Sequence, residues 1–213
     1  MTTTELLALF RSEVFDLELP YLWSDDLIYS YIDEAQKQFC RDTYGIADAR
    51  SFTLSILADG TEWYKIDPRI LKTRDAIDVT SGNPVQIVPI EKMTENNMKF
   101  DGGAGPLKAL ISGLEDYTYR AWPVPNTAST VSLRTFRLPN DVVAGDDLEV
   151  NPQHHRYLLY WVKHLAYDVQ DTEVYDPKAS EKYKARHVEY CAKAKNEMSR
   201  AMHPVGTVIY GGI

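Results

Sequence analysis

The spacing of apolar residues changes twice along this chain, and no other feature limits its possible folds as much. Up to Gly45 they recur every three or four positions, from there to about residue 145 they alternate with polar residues, and from Asn151 the helical spacing returns. Such a pattern places a sheet-forming stretch between two helix-forming ends. The expected class is α+β: an antiparallel bundle of about four helices from residues 1–48 and 150–202, an antiparallel β domain of residues 49–149 inserted between the helix pairs, and a separate C-terminal segment, residues 203–213.

The helical ends carry explicit start and stop signals. Thr2-Thr-Thr-Glu5 is a capping-box pattern ahead of Leu6, Leu7, Leu9, Phe10 and Val14, which predicts a first helix from about Thr3 to Val14. Phe15-Asp-Leu-Glu-Leu-Pro20 breaks it. Ser24 is placed to cap a second helix, with Asp25 and Asp26 at the positive end of its dipole. Ile28, Ile32, Ala35 and Phe39 give that helix its apolar stripe, and Gly45 supplies a left-handed residue to end it. Asn151-Pro152 and Asp176-Pro177 open two more helices, a capping residue followed by proline at the first helical position. The last runs to about Met202, with Tyr183, His187, Tyr190, Cys191, Ala194 and Met198 along one side.

In the middle, Phe52, Leu54 and Ile56 alternate with polar residues, Ala58-Asp-Gly60 signals a turn, and Thr61 to Ile66 reads as the returning strand of a hairpin. Further strands are predicted at Arg74–Thr80, Val85–Ile90, Lys108–Ser112, Tyr117–Trp122 and Thr130–Leu138, with a short helical turn around Glu91 to Asn97. Asp101-Gly-Gly-Ala-Gly-Pro106 reads as a mobile loop.

With 213 residues, 44% of them hydrophobic, the chain can bury a substantial core. No run reaches the ~18 apolar residues of a membrane span, and Met-Thr-Thr-Thr-Glu lacks the marks of a signal peptide, so a soluble protein made in the cytoplasm is expected. The net charge is -8, and the acid lies at the front: residues 1–50 hold 4 basic and 10 acidic groups, residues 51–150 hold 10 and 14, and residues 151–213 hold 9 and 7. Such a balance provides no basic footprint for gripping a nucleic-acid backbone.

Reactive chemistry is not expected. Cys40 and Cys191 fall at helical positions with no metal-ligand spacing around either, which predicts buried thiols. His154 and His155 are adjacent, His164 is not one or two turns from either, and His187 and His203 lie farther still, so no metal site is expected. The pairs Asp25-Asp26, Asp33-Glu34, Glu115-Asp116 and Asp146-Asp147 supply the two carboxylates a glycosidase needs, but the first two are accounted for by a helix start and a polar helix face. Gly102, Gly103 and Gly105 are not followed by the lysine and helix start of a phosphate loop. Trp63, Tyr64, Tyr117, Tyr119 and Trp122 could stack on sugars, yet they are also what a small sheet uses for its core.

Tyr21-Leu-Trp-Ser-Asp-Asp-Leu followed by Asp33-Glu-Ala-Gln, then Tyr119-Arg-Ala-Trp-Pro-Val-Pro125 before Leu133-Arg-Thr-Phe-Arg-Leu-Pro139, then Asp176-Pro-Lys-Ala-Ser-Glu-Lys-Tyr183, follow one another in an order that resembles the head-to-tail adaptor (head completion, or neck) proteins of tailed bacteriophages. The resemblance spans nearly the whole chain. It implies a structural virion protein at the neck, a ring on the order of twelve copies between the portal and the first tail component, a tail nozzle or tail-terminator protein. The ring would line the exit channel of double-stranded DNA without sequence-specific binding, with no cofactor, no catalytic residue and no membrane. It also implies that the C-terminal segment reaches the portal, which assigns Pro204, Val208, Ile209, Tyr210 and Ile213 to that contact. From the residues alone, that apolar segment either joins another chain or folds back on its own. The chain departs from smaller adaptors in its long β segment. Two other readings stand beside this one: a carbohydrate-binding or cell-wall-degrading tail module, and an assembly chaperone absent from the finished particle.

Overall fold

A computed structural model describes residues 1–95, 103–171 and 173–203. The chain forms two compact units, Met1–Gly45 together with the chain from Pro139 onward, and Ile46–Leu138.

In the first unit the capping signals act as written. Helix α1 (Thr3–Val14) begins with a complete capping box: the Thr2 hydroxyl accepts from the Glu5 amide at 3.2 Å, and the Thr2 amide donates to the Glu5 carboxylate at 2.9 Å. Helix α2 (Asp25–Asp42) is capped by Ser24, whose side chain accepts from the Leu27 amide. Its end differs from expectation. Thr43 closes it, its hydroxyl and amide both donating to the Phe39 carbonyl, and Gly45 takes its positive φ of 76° two residues later, at the turn into the next element. Asn151 caps a 3-10 turn at Pro152–His154, which leads into α4 (His155–Asp168). Asp176 caps α5 (Pro177–Met202) by accepting from the amides of Lys178 and Ala179. Phe10, Ile28, Ile32, Phe39, Leu158 and Val162 are fully or nearly fully buried here.

The second unit holds β1 (Ile46–Ile56), β2 (Trp63–Lys65), β3 (Ile70–Asp78), β4 (Pro84–Pro89), α3 (Ile90–Glu95), β5 (Ala104–Gly105), β6 (Ala109–Ser112), β7 (Thr118–Trp122), β8 (Val124–Pro125) and β9 (Ser129–Arg137). Seven strands form one sheet in the order β1-β9-β3-β4-β6-β7-β2, and β5 and β8 form a short parallel pair, so Ala104 and Gly105 belong to a ladder where a loop was expected. Residues 96–102 lie outside the described residues.

This architecture corrects the expected one. A helical bundle carrying a small antiparallel insertion is not what forms. Among the described residues a large seven-stranded sheet dominates beside five α-helices, and it is mixed because β4 and β6 run parallel, Ile87 opposite Leu110, across the connection that contains α3. The hairpin expected between Phe52–Ile56 and Thr61–Ile66 is also absent: β1 pairs with β9, and β2 pairs with β7. Alternation reports that a stretch is a half-buried strand but carries no information about its partner. The two strands still meet, through side chains. Phe52, Leu54 and Ile56 share one core with Tyr64, whose hydroxyl donates to the Thr61 carbonyl and accepts from the Leu57 amide at 3.1 Å. The first and last strands of the order are thereby brought together, and the sheet curls around Ile70, Val85, Leu110, Tyr119, Val131 and Leu133.

Candidate interaction surfaces

The residues between α1 and α2 form the most apolar exposed stretch of the described chain. Phe15 is 86% exposed, Leu19 79% and Leu17 64%, and Leu22 is exposed as well. Leaving such side chains in water forgoes about 1.5–3 kcal/mol each. The connector is held in place by Arg11, a buried cation on α1. Its guanidinium donates to the Asp16 carboxylate at 2.5 Å and to the Trp23 carbonyl at 2.9 Å, pairs with Asp25, and lies 3.6 Å from the centre of the Tyr21 ring. Asp16, also buried, accepts from the Leu22 amide at 3.0 Å. Trp23 anchors the far end, its indole N–H donating to the Ala166 carbonyl and its ring set edge-on to Phe10 and Tyr167. Asp16 thus turns inward while Phe15, Leu17, Leu19 and Leu22 face outward, the reverse of an ordinary surface loop.

Next to the connector, the last turn of α1 meets a groove of about 580 Å³ lined by Glu13, Arg156, Tyr157, Tyr160, Lys163, Tyr183 and Arg186. Lys163 and Arg156 both donate to Glu13, at 2.6 and 3.2 Å. Burial opposes ionisation of Glu13, yet those two cations hold its carboxyl below the usual range. Tyr157 stacks on Tyr190 with 3.8 Å between ring centres, and the Arg186 guanidinium lies over Tyr160 and Tyr183. Burial, with the neighbouring Tyr157 second, pushes the Tyr190 hydroxyl up to about 12. The Tyr190 hydroxyl, hydrogen-bonded to His154 at 2.8 Å, therefore keeps its proton near neutrality.

At the other end of α1 the charge is opposite. Asp141, Asp146, Asp147 and Glu149 surround Thr3 and Gln36, and all four acids are exposed. α1 spans 12 residues, or roughly 18 Å, so an acidic cluster and an arginine- and tyrosine-lined groove sit at opposite ends of one short helix.

The structure separates the residues singled out in the sequence. Tyr64 and Tyr119 are core, the Tyr119 hydroxyl hydrogen-bonding to Thr73 at 2.7 Å, while Trp63 and Tyr117 are exposed. Trp122 lines an open groove beside β3, β4 and β6, and Trp63 is not among the residues that line it. Asp25 belongs to the Arg11 network, and Asp33 accepts from Lys37 and from the Val142 amide, which gives both structural duties. Pro204, Val208, Ile209, Tyr210 and Ile213 lie outside the described residues. Sequence reasoning missed the connector, although four apolar residues in a segment with no helical or strand period were the available signal. It also missed that Asp42 of α2 meets His187 and Cys191 of α5. No helix among the described residues is long and apolar enough to cross a membrane.

No curated protein matches the chain. A family model, SU10 adaptor protein, matches residues 1–207, all but the last few positions. The chain therefore belongs to the SU10 adaptor protein family, a family of phage head-to-tail adaptors.

Proposed function

We propose that this adaptor is one subunit of a closed ring fitted between the portal and the first tail component, with the genome passing through its centre. The family match over residues 1–207 is the observation that carries this reading. A ring needs a heterologous contact, in which one face of each copy meets a different face of the next. The two ends of α1 supply a pair of unlike and charge-complementary faces: the acidic cluster of Asp141, Asp146, Asp147 and Glu149, and the groove of Arg156, Tyr160 and Arg186 with the apolar connector beside it. The excess of acid in the chain suits a channel wall that repels phosphate and lets DNA slide. The apolar C-terminal segment, with Pro204, Val208, Ile209, Tyr210 and Ile213, is assigned to docking on the portal.

Electron microscopy of the purified protein mixed with its portal tests this directly. An added ring layer on the portal is the expected result, and portals that stay bare at saturating adaptor overturn the proposal. Deleting residues 204–213 should abolish the added layer while leaving the circular dichroism spectrum unchanged.

A further inference from the structure

We propose that Asp42, His187 and Cys191 form a zinc-binding site that joins the end of α2 to the middle of α5. The donor atoms of the three, a carboxylate oxygen, an imidazole nitrogen and a sulfur, lie within 4.8 Å of one another. His187 Nε2 is 3.2 Å from Asp42 Oδ2 and 3.2 Å from Cys191 Sγ. In a tetrahedral zinc site, with metal–ligand bonds near 2.0–2.3 Å, donor atoms stand about 3.4–3.6 Å apart. The two distances from His187 therefore need to lengthen by a few tenths of an ångström, and the carboxylate and thiol have to come to about the same separation from each other, to hold the ion.

The metal-free arrangement is poorly satisfied. A single ring nitrogen faces both the carboxylate and the thiol. If Nε2 carries a proton it serves Asp42, and the thiol hydrogen must point elsewhere. If Nε2 is bare it accepts from the thiol, and its lone pair confronts the carboxylate. A divalent cation resolves the conflict, because all three groups then direct lone pairs at one centre, with the thiol proton released to solvent. His187 and Cys191 are both buried, and they sit four residues apart on α5, the spacing that puts two ligands on one helix face. Asp42 is 34% exposed, which leaves the fourth position open to water. Sulfur, nitrogen and oxygen in this proportion favour zinc over the hard cations calcium and magnesium. The Nδ1 atom of His187 is buried without a hydrogen-bond partner among the described residues, so the site lacks the outer acceptor that usually orients a ligating histidine.

Full-length protein, purified without a histidine tag or chelator, is assayed for bound metal, then stripped, reduced and titrated with Co2+ as a spectroscopic stand-in for zinc. The expected result is one equivalent of zinc per chain, with a thiolate-to-cobalt charge-transfer band and the strong visible bands of a four-coordinate site. Cys191→Ser should abolish the charge-transfer band, and Cys40→Ser should keep it. Asp42→Asn, at the partly exposed ligand, keeps the fold and should weaken Co2+ binding by more than the ten- to hundredfold typical of losing a ligand's hydrogen-bond partner. No charge-transfer band on adding Co2+ to the stripped protein, a band that survives Cys191→Ser, or one lost in Cys40→Ser overturns the proposal.

Discussion

Arg11 is the side chain on which the connector depends. Its charge is buried with that of Asp16, and removing one partner of a buried pair costs about 3–5 kcal/mol because the other is left uncompensated. Arg11→Met should lower the urea midpoint accordingly and open the connector to proteolysis at Leu17 and Leu19. The double variant Arg11→Met with Asp16→Asn should lose less than the single one, since no lone charge stays buried. Asp48 plays a comparable part in the sheet unit. Burial works against its ionised form, but the amides of Arg50 and Ser51 and the guanidinium of Arg137 hold its carboxyl far below the usual range. Its folded pKa is depressed, so its stabilisation is present in full above the unfolded carboxylate value and is lost as pH falls through the folded one. Stability should therefore decline from about pH 4 downward, and Asp48→Asn should flatten that decline while costing about 1–3 kcal/mol at neutral pH, both read from urea titrations across pH.

At the scale of elements, α4 imposes a second pH dependence at milder acidity. His155 donates through Nε2 to the Val150 carbonyl, and its buried Nδ1 has no partner among the described residues, so a second proton would be placed where nothing accepts it. Burial holds His154, His155 and His164 below the usual histidine value. Depressed histidines follow the same sign as Asp48: their contribution is complete above about pH 6.5 and fades as pH falls through their folded values. A thermal scan should show the melting temperature dropping between about pH 6.5 and 5, and His155→Gln should reduce that drop. How much of each element was legible follows from the range of the forces that make it. α1 was readable to the residue, because Thr2 and Glu5 form its start within one turn. The strands could be placed because alternation is local, whereas their pairing depends on residues far apart, such as Ile87 beside Leu110 and Tyr64 beside Tyr119. The connector looked like a break because its logic lies in Arg11, a residue of the preceding helix. The His187 and Cys191 pair could have been found from its spacing of four, but its third member, Asp42, comes from the other end of the chain.

At the scale of the whole molecule, assembly tests whether unlike faces meet. In a heterologous contact the charged groups on the two sides differ, so reversing one side places like charges opposite each other at a cost of several kcal/mol. Arg156→Glu with Arg186→Glu converts the groove at one end of α1, and Asp146→Lys with Asp147→Lys converts the cluster at the other. All four side chains are exposed, and each double variant should keep its fold, with a thermal midpoint close to that of the unaltered chain. Neither variant alone should add a ring layer to the portal under the electron microscope. An equimolar mixture should restore it, because alternating copies again present opposite charges at every contact. A variant that builds the layer unaided, or a mixture that leaves portals bare, would show that the two ends of α1 are not the faces that join neighbouring copies. Raising the salt concentration should weaken the restored layer, since exposed charges separated by more than a Debye length, about 8 Å at physiological ionic strength, are largely screened. A layer indifferent to salt would instead place the contact on the apolar connector, where Phe15→Ser with Leu19→Ser should then abolish it.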